Sequence, residues 1–269
     1  MEASSDQQGP NEPDERLLGI ATMTGVLRDS GHLYKRNFLG LFTLFAPGMA
    51  LVFIAGSLWV LIAANLDVPL LLQAGSIFWF LLFPSLIGSA LILAAHALIA
   101  EGLVGGETNP RRALSALKAD LPSVVQCVLL GSTGAMFFGV LRPLSLIFFV
   151  WWGPPLIGTT TVLENRSFPD AWTETRRRAR GRLGRVILTL LLVAFLLAIL
   201  GFALVFPILL ALSAVAQTLF VILIFAIVSA LVLPFMAAVE LRVYFDLRAR
   251  TDEGFGADEL RADLARHTG

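Results

Sequence analysis

The chain has 269 residues with 20 basic and 20 acidic side chains, and this balanced charge gives no reason to expect a nucleic-acid partner. Hydrophobic residues make up 57% and charged residues 15%, against roughly 25% charged in a soluble domain, so the composition excludes an ordinary soluble protein. The single cysteine, Cys127, excludes an internal disulfide and a cysteine-built metal site. The composition therefore predicts an integral membrane protein.

The first 18 residues are polar and acidic and include Pro10 and Pro13. They lack the basic start and apolar stretch of a secretory signal, and they lack the glycine after Met1 that myristoylation needs. Residues 1–18 are therefore predicted to be a disordered cytoplasmic tail. Residues 19–250 are assigned to the membrane domain, and residues 251–269 to a cytoplasmic C-terminal tail.

Long uncharged runs predict an all-α protein with six transmembrane helices. A bilayer core about 30 Å thick needs about 20 helical residues to cross it. The 54 residues from Val186 to Val239 carry no charge. As one helix they would be about 80 Å long, so they are predicted to be two helices with a turn near Ser213 to Gln217. The predicted spans are residues 39–64, 73–98, 121–141, 143–163, 186–212 and 216–241.

The basic residues predict the orientation. All but one of the 20 Lys and Arg residues lie before the first span, between spans two and three, between spans four and five, or after the last span. Only Arg142 falls in one of the other connections. Because basic residues resist crossing during insertion, both termini and the two long loops are predicted to be cytoplasmic, in a multi-pass protein of the plasma membrane.

Each predicted pair of spans follows an amphipathic stretch, at residues 24–42, 109–125 and 168–188, with Thr24, Asn109 and either Ser167 or Asp170 as candidate N-caps. The segments PSLIGSA at 84–90 and PPLIGTT at 154–160 also resemble each other. These echoes predict three copies of a helix hairpin, each introduced by a helix lying in the membrane interface.

The third amphipathic stretch is the strongest candidate for contact with anionic lipid or a partner protein. One helical face carries Trp172, Thr175, Ala179, Leu183 and Val186, with arginines on its flanks. Such a helix would place its guanidinium groups among lipid phosphates. The predicted contact residues are Trp172, Arg176, Arg177, Arg178, Arg180, Arg182 and Arg185.

Prolines and small residues predict how the helices pack. Proline bends a helix, so its presence inside the predicted spans indicates either structural kinks or a gating hinge. The small residues Gly131, Ala135 and Gly139 recur every four positions, which favours close packing inside the bundle or between two copies of the chain. The prolines inside predicted spans are Pro47, Pro84, Pro154, Pro155, Pro207 and Pro234.

The sequence has no recognisable catalytic site, metal site or cofactor motif. No ionisable residue lies near the middle of a predicted span, which disfavours ion-coupled transport. His96, near the cytoplasmic end of span two, is predicted to be a hydrogen-bonded structural histidine. The adjacent acidic pairs at 252–253 and 258–259 are predicted to be solvated.

Charged residues at the cytoplasmic ends of the even-numbered spans are either simple boundary charges or part of a structural clamp. Glu164 paired with the arginines of residues 176–185 is the favoured set. A compact charged turn after the last span would complete this clamp by docking onto neighbouring loops, or it would instead recognise another protein. The predicted clamp residues are Glu101, Glu164, Glu240, Asp246, Arg248, Arg250 and Glu253.

Four segments carry a family resemblance: YFDLRARTDEGF at 244–255, LYKRNF at 33–38, GGETNPRRAL at 105–114 and residues 162–186. Together they resemble bacterial six-helix membrane proteins related to the membrane domain that accompanies the catalytic domain of some glycerophosphodiester phosphodiesterases. Gly256 replaces the usual acidic residue after EGF, and Thr251 and Asp252 stand where the family has a basic residue. The resemblance implies the fold but no reaction, because a catalytic barrel of about 250 residues has no place in this chain.

The sequence is compatible with three functions. The favoured one is a non-enzymatic membrane scaffold or accessory module that binds anionic lipid or a partner protein through a basic cytoplasmic face. The second is a permease for an uncharged or lipid-like solute. The third is a lipid-modifying enzyme, for which Glu101, Glu164 and His96 would have to cluster around a pocket.

Overall fold

A computed structural model describes residues 15–65, 70–106, 108–118, 120–140, 156–182, 184–190, 192–193, 195–196, 199 and 214–266. Throughout this part of the chain the regular structure is α-helical, without a strand. Residues 184–190 are helical as well. The helices named below are α1 (Glu15–Leu18), α2 (Met23–Arg36), α3 (Phe38–Asn65), α4 (Leu70–Leu103), α5 (Pro110–Ala116), α6 (Leu121–Val140), α7 (Ile157–Glu164), α8 (Phe168–Ala179), α9 (Ala214–Thr251) and α10 (Ala257–Ala265).

Three segments of these helices are long and apolar enough to cross a membrane: Phe38–Trp59 in α3, Phe83–Leu103 in α4 and Ala226–Thr251 in α9. A fourth is obtained if α5 and Leu121–Ser132 of α6, which meet at 99°, are taken together as one bent element. Among the described residues, an all-helical fold with three helices that could cross a membrane is therefore confirmed, whereas six spans and a threefold repeat are not. Much of the predicted spans 143–163 and 186–212 lies outside the described residues.

The last helix is longer than the sequence predicted. The span was expected to end at residue 241, followed by a compact charged turn, but α9 continues to Thr251. No glycine or proline follows Pro234 until Gly254, so nothing in the sequence stops the helix earlier. The turn itself is formed by residues 252–256, where Gly254 has a φ of +81°.

The N-terminal boundary also differs from the prediction. The disordered tail was expected to include residue 18, but α1 begins at Glu15 and buries Leu17 and Leu18 against the bundle. Residues 1–14 lie outside the described part. The expected cap Thr24 is also wrong, because the side chain of Thr22 accepts the hydrogen bond from the Gly25 backbone N–H at 3.1 Å.

Helix α4 lies at the centre of the bundle and packs against α3, α6, α7 and α9. Its residues 94–100 are all buried. A Cβ added at Gly48 of α3 would lie 2.6 Å from Leu91 Cδ1, and one at Gly158 of α7 would collide with the end of the Leu93 side chain, so both glycines lie at close contacts with α4.

The predicted packing residues are only partly described. A Cβ at Gly131 of α6 would lie 3.2 Å from the Ser89 hydroxyl of α4, which places Gly131 at a close contact inside the bundle. Ala135 and Gly139 lie farther along α6, where only the backbone is described. Three of the predicted prolines, Pro47, Pro84 and Pro234, lie inside helices, while Pro154, Pro155 and Pro207 are outside the described residues.

The C-terminal tail ends in an ordered helix. Helix α10 packs against α4 and α7 and buries Ala257 and Leu260. The Arg261 side chain donates a hydrogen bond to the Val104 carbonyl at 3.4 Å. The chain after α9 therefore folds back over the charged end of the bundle.

Candidate functional site

The charged end of the bundle is built around the tight turn between α7 and α8. Helix α7 ends at Glu164, and Asn165 follows in the left-handed conformation with a φ of 50°. Asparagine tolerates this conformation better than most residues. Helix α8 then folds back onto α7, where the hydroxyls of Thr160 and Thr175 lie 2.9 Å apart. This turn places Glu164 beside the arginines of α8.

Glu164 is the first centre of a buried ion network. Its side chain is 3% exposed and forms an ion pair with Arg178, one helix farther along the chain. It also accepts hydrogen bonds from the Arg166 Nε at 2.8 Å and from the Tyr244 hydroxyl of α9 at 2.6 Å. A carboxylate with this many donors is stabilised in its ionised form.

Arg178 extends the network toward the end of α9. Its Nη2 lies 2.7 Å from the Asp252 carboxylate and 3.0 Å from the Glu174 carboxylate. The guanidinium is also 5.9 Å from the centre of the Tyr244 ring. Arg178 thus connects α7, α8 and the turn after α9 through one buried cation.

Arg248 is the second centre of the network. It pairs with Asp252 at 3.2 Å, with Asp263 of α10 at 2.6 Å and with Glu259 of α10 at 2.8 Å. Its guanidinium also lies 4.3 Å from the centre of the Phe255 ring, within the range of a cation–π contact. Arg248 therefore fixes α10 to the end of α9.

These contacts give structural roles to several residues of the C-terminal motif YFDLRARTDEGF. The arginine of DLR is Arg248, the glycine of EGF is Gly254 with a positive φ that favours glycine, and the phenylalanine of EGF covers the arginine. Glu253 is exposed in the turn, and no ion pair to another described residue is recorded for it. The structure thus does not bring Glu253 into the network.

The neighbouring arginines favour the charged forms of Glu164 and Asp252. Burial raises the pKa of Glu164, but hydrogen bonding and charge from Arg178 outweigh it, and the pKa ends below its ordinary value. Asp252 follows the same pattern: burial raises its pKa, and Arg178 together with Arg248 brings it below the ordinary value. Carboxylates saturated with cationic donors in this way are poor proton acceptors, so the network is suited to holding helices together.

A second cluster ties down the N-terminal segment. The Asp246 carboxylate accepts a hydrogen bond from the Ala21 backbone N–H at 2.8 Å and pairs with Arg250 at 3.0 Å. Arg250 also donates to the Ala21 carbonyl at 3.0 Å, and Arg185 lies 3.8 Å from Asp246. This cluster anchors the chain just before α2.

The other two boundary glutamates have separate partners. Glu101 lies 3.6 Å from Arg112 of α5, and Glu240 lies 3.5 Å from the His96 Nε2. The separation of the His96 Nε2 from Glu240 is long for a hydrogen bond, and the Nε2 has no hydrogen-bonded partner among the described residues. The His96 Nδ1 lies 3.2 Å from the Thr159 hydroxyl.

Among the described residues, His96 does not contact Glu101 or Glu164, the two residues with which it was expected to cluster in a lipid-modifying enzyme. Its polar partners in that part of the chain are Thr159 and Glu240. Among the same residues, no group of three His, Cys, Asp or Glu side chains is arranged to hold a metal ion.

The seven predicted lipid or partner contacts occupy different environments. Arg178 is buried in the network, Arg177 pairs with Glu174 at 2.6 Å, and Arg185 reaches the Ala21 carbonyl. Trp172 is half-buried, with its ring 5.9 Å from that of Phe168. Arg176 and Arg180 are exposed and Arg182 is half-buried; no ion pair to a described residue is recorded for these three.

Sequence reasoning missed several members of the network. Asp252 was expected to be solvated, which is wrong, because its side chain is only 14% exposed and contacts three arginines. Glu259 is half-buried against Arg248, whereas Asp258 is exposed as expected. A usable signal was present: Glu240, Tyr244, Arg248 and Asp252 recur every four residues, which places them along one side of α9 and the turn that follows. The other missed residues are Asp29, Arg242 and Asp263.

No protein-family model, curated protein or solved structure matches the chain.

Proposed function

We propose that this protein is a six-span membrane scaffold or accessory module with both termini in the cytoplasm, which binds anionic lipid through basic residues at the charged end of the bundle. We also propose the relationship to the membrane domain of glycerophosphodiester phosphodiesterases, on the strength of the sequence motifs. The network around Glu164 and Arg248 supplies the rigidity that a scaffold needs.

Exposed apolar side chains support additional spans. On α6, Leu121, Val125 and Leu129 are exposed at intervals of four residues. After α8, a similar exposed set begins at Leu188 and includes Leu192, Phe195, Leu196 and Ile199. Apolar surface at helical spacing has no favourable contact with water, so it supports lipid-facing helices in both places.

The observation that carries the lipid proposal is the exposure of Arg176 and Arg180 close to this apolar surface. Both side chains are exposed, and no carboxylate partner is recorded for either among the described residues. Among the described residues, the exposed apolar set begins at Leu188, eight positions after Arg180, on the helical segment that starts at Gly184. The two arginines therefore lie close in sequence to the start of this apolar surface, which supports a position near the headgroups.

The test compares the exposed arginines Arg176 and Arg180 with exposed arginines that already have carboxylate partners. We would titrate phosphatidylglycerol into the protein in a nonionic detergent and follow lipid binding by native mass spectrometry. The double variant Arg176→Gln/Arg180→Gln is expected to weaken binding about 25-fold, since each basic residue near an anionic surface contributes about 1 kcal/mol.

The matched control is Arg261→Gln/Arg266→Gln, which removes the same charge from α10. Both of these arginines are already paired with aspartates, at 2.7 Å and 2.9 Å. The control should bind phosphatidylglycerol like the wild type. If the two double variants weaken binding equally, the effect is one of net charge alone, and the proposed role of α8 is wrong.

A further inference from the structure

Helix α5 joins α4 to α6 and is held in a fixed orientation. Pro110 occupies its first turn, and the Asn109 side chain accepts a hydrogen bond from the Arg111 backbone N–H at 2.9 Å. Both features favour a helix that starts at this point. Ala113 is fully buried and Leu117 nearly so, and both belong to the core of the bundle. Helix α5 therefore cannot rotate without losing core contacts.

The opposite side of α5 and the turn that follows it carry two cations and one apolar residue. Arg111 and Leu114 of α5 and Lys118 of the turn are all exposed, Leu114 by 43% of its surface. Arg111 and Leu114 are three residues apart, so they lie on one side of the helix, and the Lys118 backbone N–H donates to the Ser115 carbonyl, which keeps the turn against the end of α5. An exposed leucine between two cations is the pattern of a helix that lies in a membrane interface.

The two cations are available for a ligand. The neighbouring Arg112 is occupied, because it lies 3.6 Å from Glu101. For Arg111 and Lys118, by contrast, no side-chain ion pair or hydrogen bond is recorded within the described residues. Their backbone N–H groups are satisfied by Asn109 and Ser115, so the side chains are not needed to hold the local fold.

The direction of α6 sets the depth of α5. The axes of the two helices meet at 99°, and the exposed apolar side of α6 starts at Leu121, three residues after Lys118. If α6 enters the membrane along its normal, α5 lies nearly parallel to the membrane plane, at the level where the apolar region begins. Arg111 and Lys118 then reach the headgroup layer while Leu114 faces the start of the acyl chains.

We propose that Arg111, Leu114 and Lys118 form a binding site for the phosphate-bearing headgroup of an anionic phospholipid. Arg111 and Lys118 flank Leu114 in sequence, and their long side chains would reach the phosphate oxygens of one headgroup from either side of it. Leu114 enters the acyl boundary and distinguishes a lipid from a free phosphate. The site rests on the proposed lipid-binding function, but it is separate in sequence from the arginines of α8.

The experiment uses the full-length protein in a nonionic detergent, with phosphatidylglycerol binding followed by native mass spectrometry. Arg111→Gln/Lys118→Gln is expected to weaken binding about 25-fold, and Leu114→Ser is expected to weaken it severalfold without any change of charge. The control Arg261→Gln/Arg266→Gln should bind like the wild type. All variants should stay close to the wild-type melting temperature, because all these side chains are exposed and exposed ion pairs contribute little to stability.

The outcomes separate this site from the broader proposal. If Arg176→Gln/Arg180→Gln weakens binding but Arg111→Gln/Lys118→Gln does not, the α5 site is wrong and the lipid-binding scaffold stands. If neither weakens it, both proposals fail. If inorganic phosphate displaces the lipid and Leu114→Ser has no effect, the site recognises free phosphate, and the lipid assignment is overturned.

Discussion

Arg176 and Arg178 lie two residues apart on the same helix and have opposite environments. Arg178 is buried among Glu164, Glu174 and Asp252, while Arg176 is exposed, without an ion pair recorded among the described residues. Neighbouring positions on a helix point in very different directions, so one helix presents cations both to the core and to the surface. A single basic cluster in sequence therefore places its cations in two environments, one inside the bundle and one on its surface.

The largest expected effect comes from removing the centre of the network. Arg248→Ala should lower the free energy of unfolding by about 5 kcal/mol, because it leaves Asp263, Asp252 and Glu259 without their shared cation. Chemical unfolding in detergent micelles measures this loss. Arg261→Ala removes an exposed contact with Asp258 and one long, exposed hydrogen bond to the Val104 carbonyl, and it should change stability little. Similar losses in both variants would show that the buried network does not hold α10.

The next effect tests the two acidic members of the network against each other. Glu164→Gln should cost about 3 kcal/mol, because it leaves Arg178 buried without its main counter-charge. Asp252→Asn should cost about 1 to 2 kcal/mol, since its side chain is closer to the surface and the amide can keep some of the contacts. Melting temperatures in detergent decide the order. Equal melting temperatures would contradict the central position of Glu164.

Acid should act on the same groups. The folded-state pKa of Glu164 lies below its ordinary value of 4.5, so the carboxylate stabilises the fold above that pH. The contribution is lost as the pH falls through the lower folded-state pKa. The melting temperature of the wild type should therefore fall as the pH drops below about 4.5. Glu164→Gln should show a flatter decline, and parallel curves would exclude Glu164 as a source of acid sensitivity.

A smaller effect tests the turn that brings α10 to the network. Gly254→Ala should cost about 1 kcal/mol, because a φ of +81° is unfavourable for a residue with a Cβ, even though no atom lies within 4 Å of that position. Gly184→Ala is the matched control: it is equally free of neighbours but lies in helical backbone, where alanine is preferred. Unfolding curves that rank the two in the opposite order would remove the conformational role of Gly254.

The smallest effect completes the comparison between Arg176 and Arg178. Arg176→Gln should change the free energy of unfolding by less than about 0.5 kcal/mol, as expected for an exposed side chain. Arg178→Gln should be strongly destabilising, because Glu164 loses its buried partner. A destabilisation by Arg176→Gln as large as that of Arg178→Gln would show that both arginines support the fold.

The class of protein and several helix boundaries were predictable, because both depend on local sequence. The predicted first span, residues 39–64, nearly coincides with Phe38–Asn65, since an uncharged run of that length has few alternatives to a membrane helix. The face of α8 that was expected to lie in the membrane interface was not predictable in the same way, because Thr175 and Ala179 are buried and Thr175 contacts Thr160 of α7. The end of α9 was less predictable, because charge was taken as a sign of a turn, although charged residues do not by themselves stop a helix.

The sequence by itself determined that the chain is helical and has helices apolar and long enough to cross a membrane, because apolar content and the length of uncharged runs do not depend on how the helices are arranged. It also marked the charged ends of the helices as the place where polar contacts concentrate. Only the tertiary structure decided which charges are buried. Asp263 meets Arg248 because α10 folds back over α9, and Arg178 meets Glu164 because the turn at Asn165 reverses the chain. Such pairings depend on distances between separate helices, which no local pattern encodes.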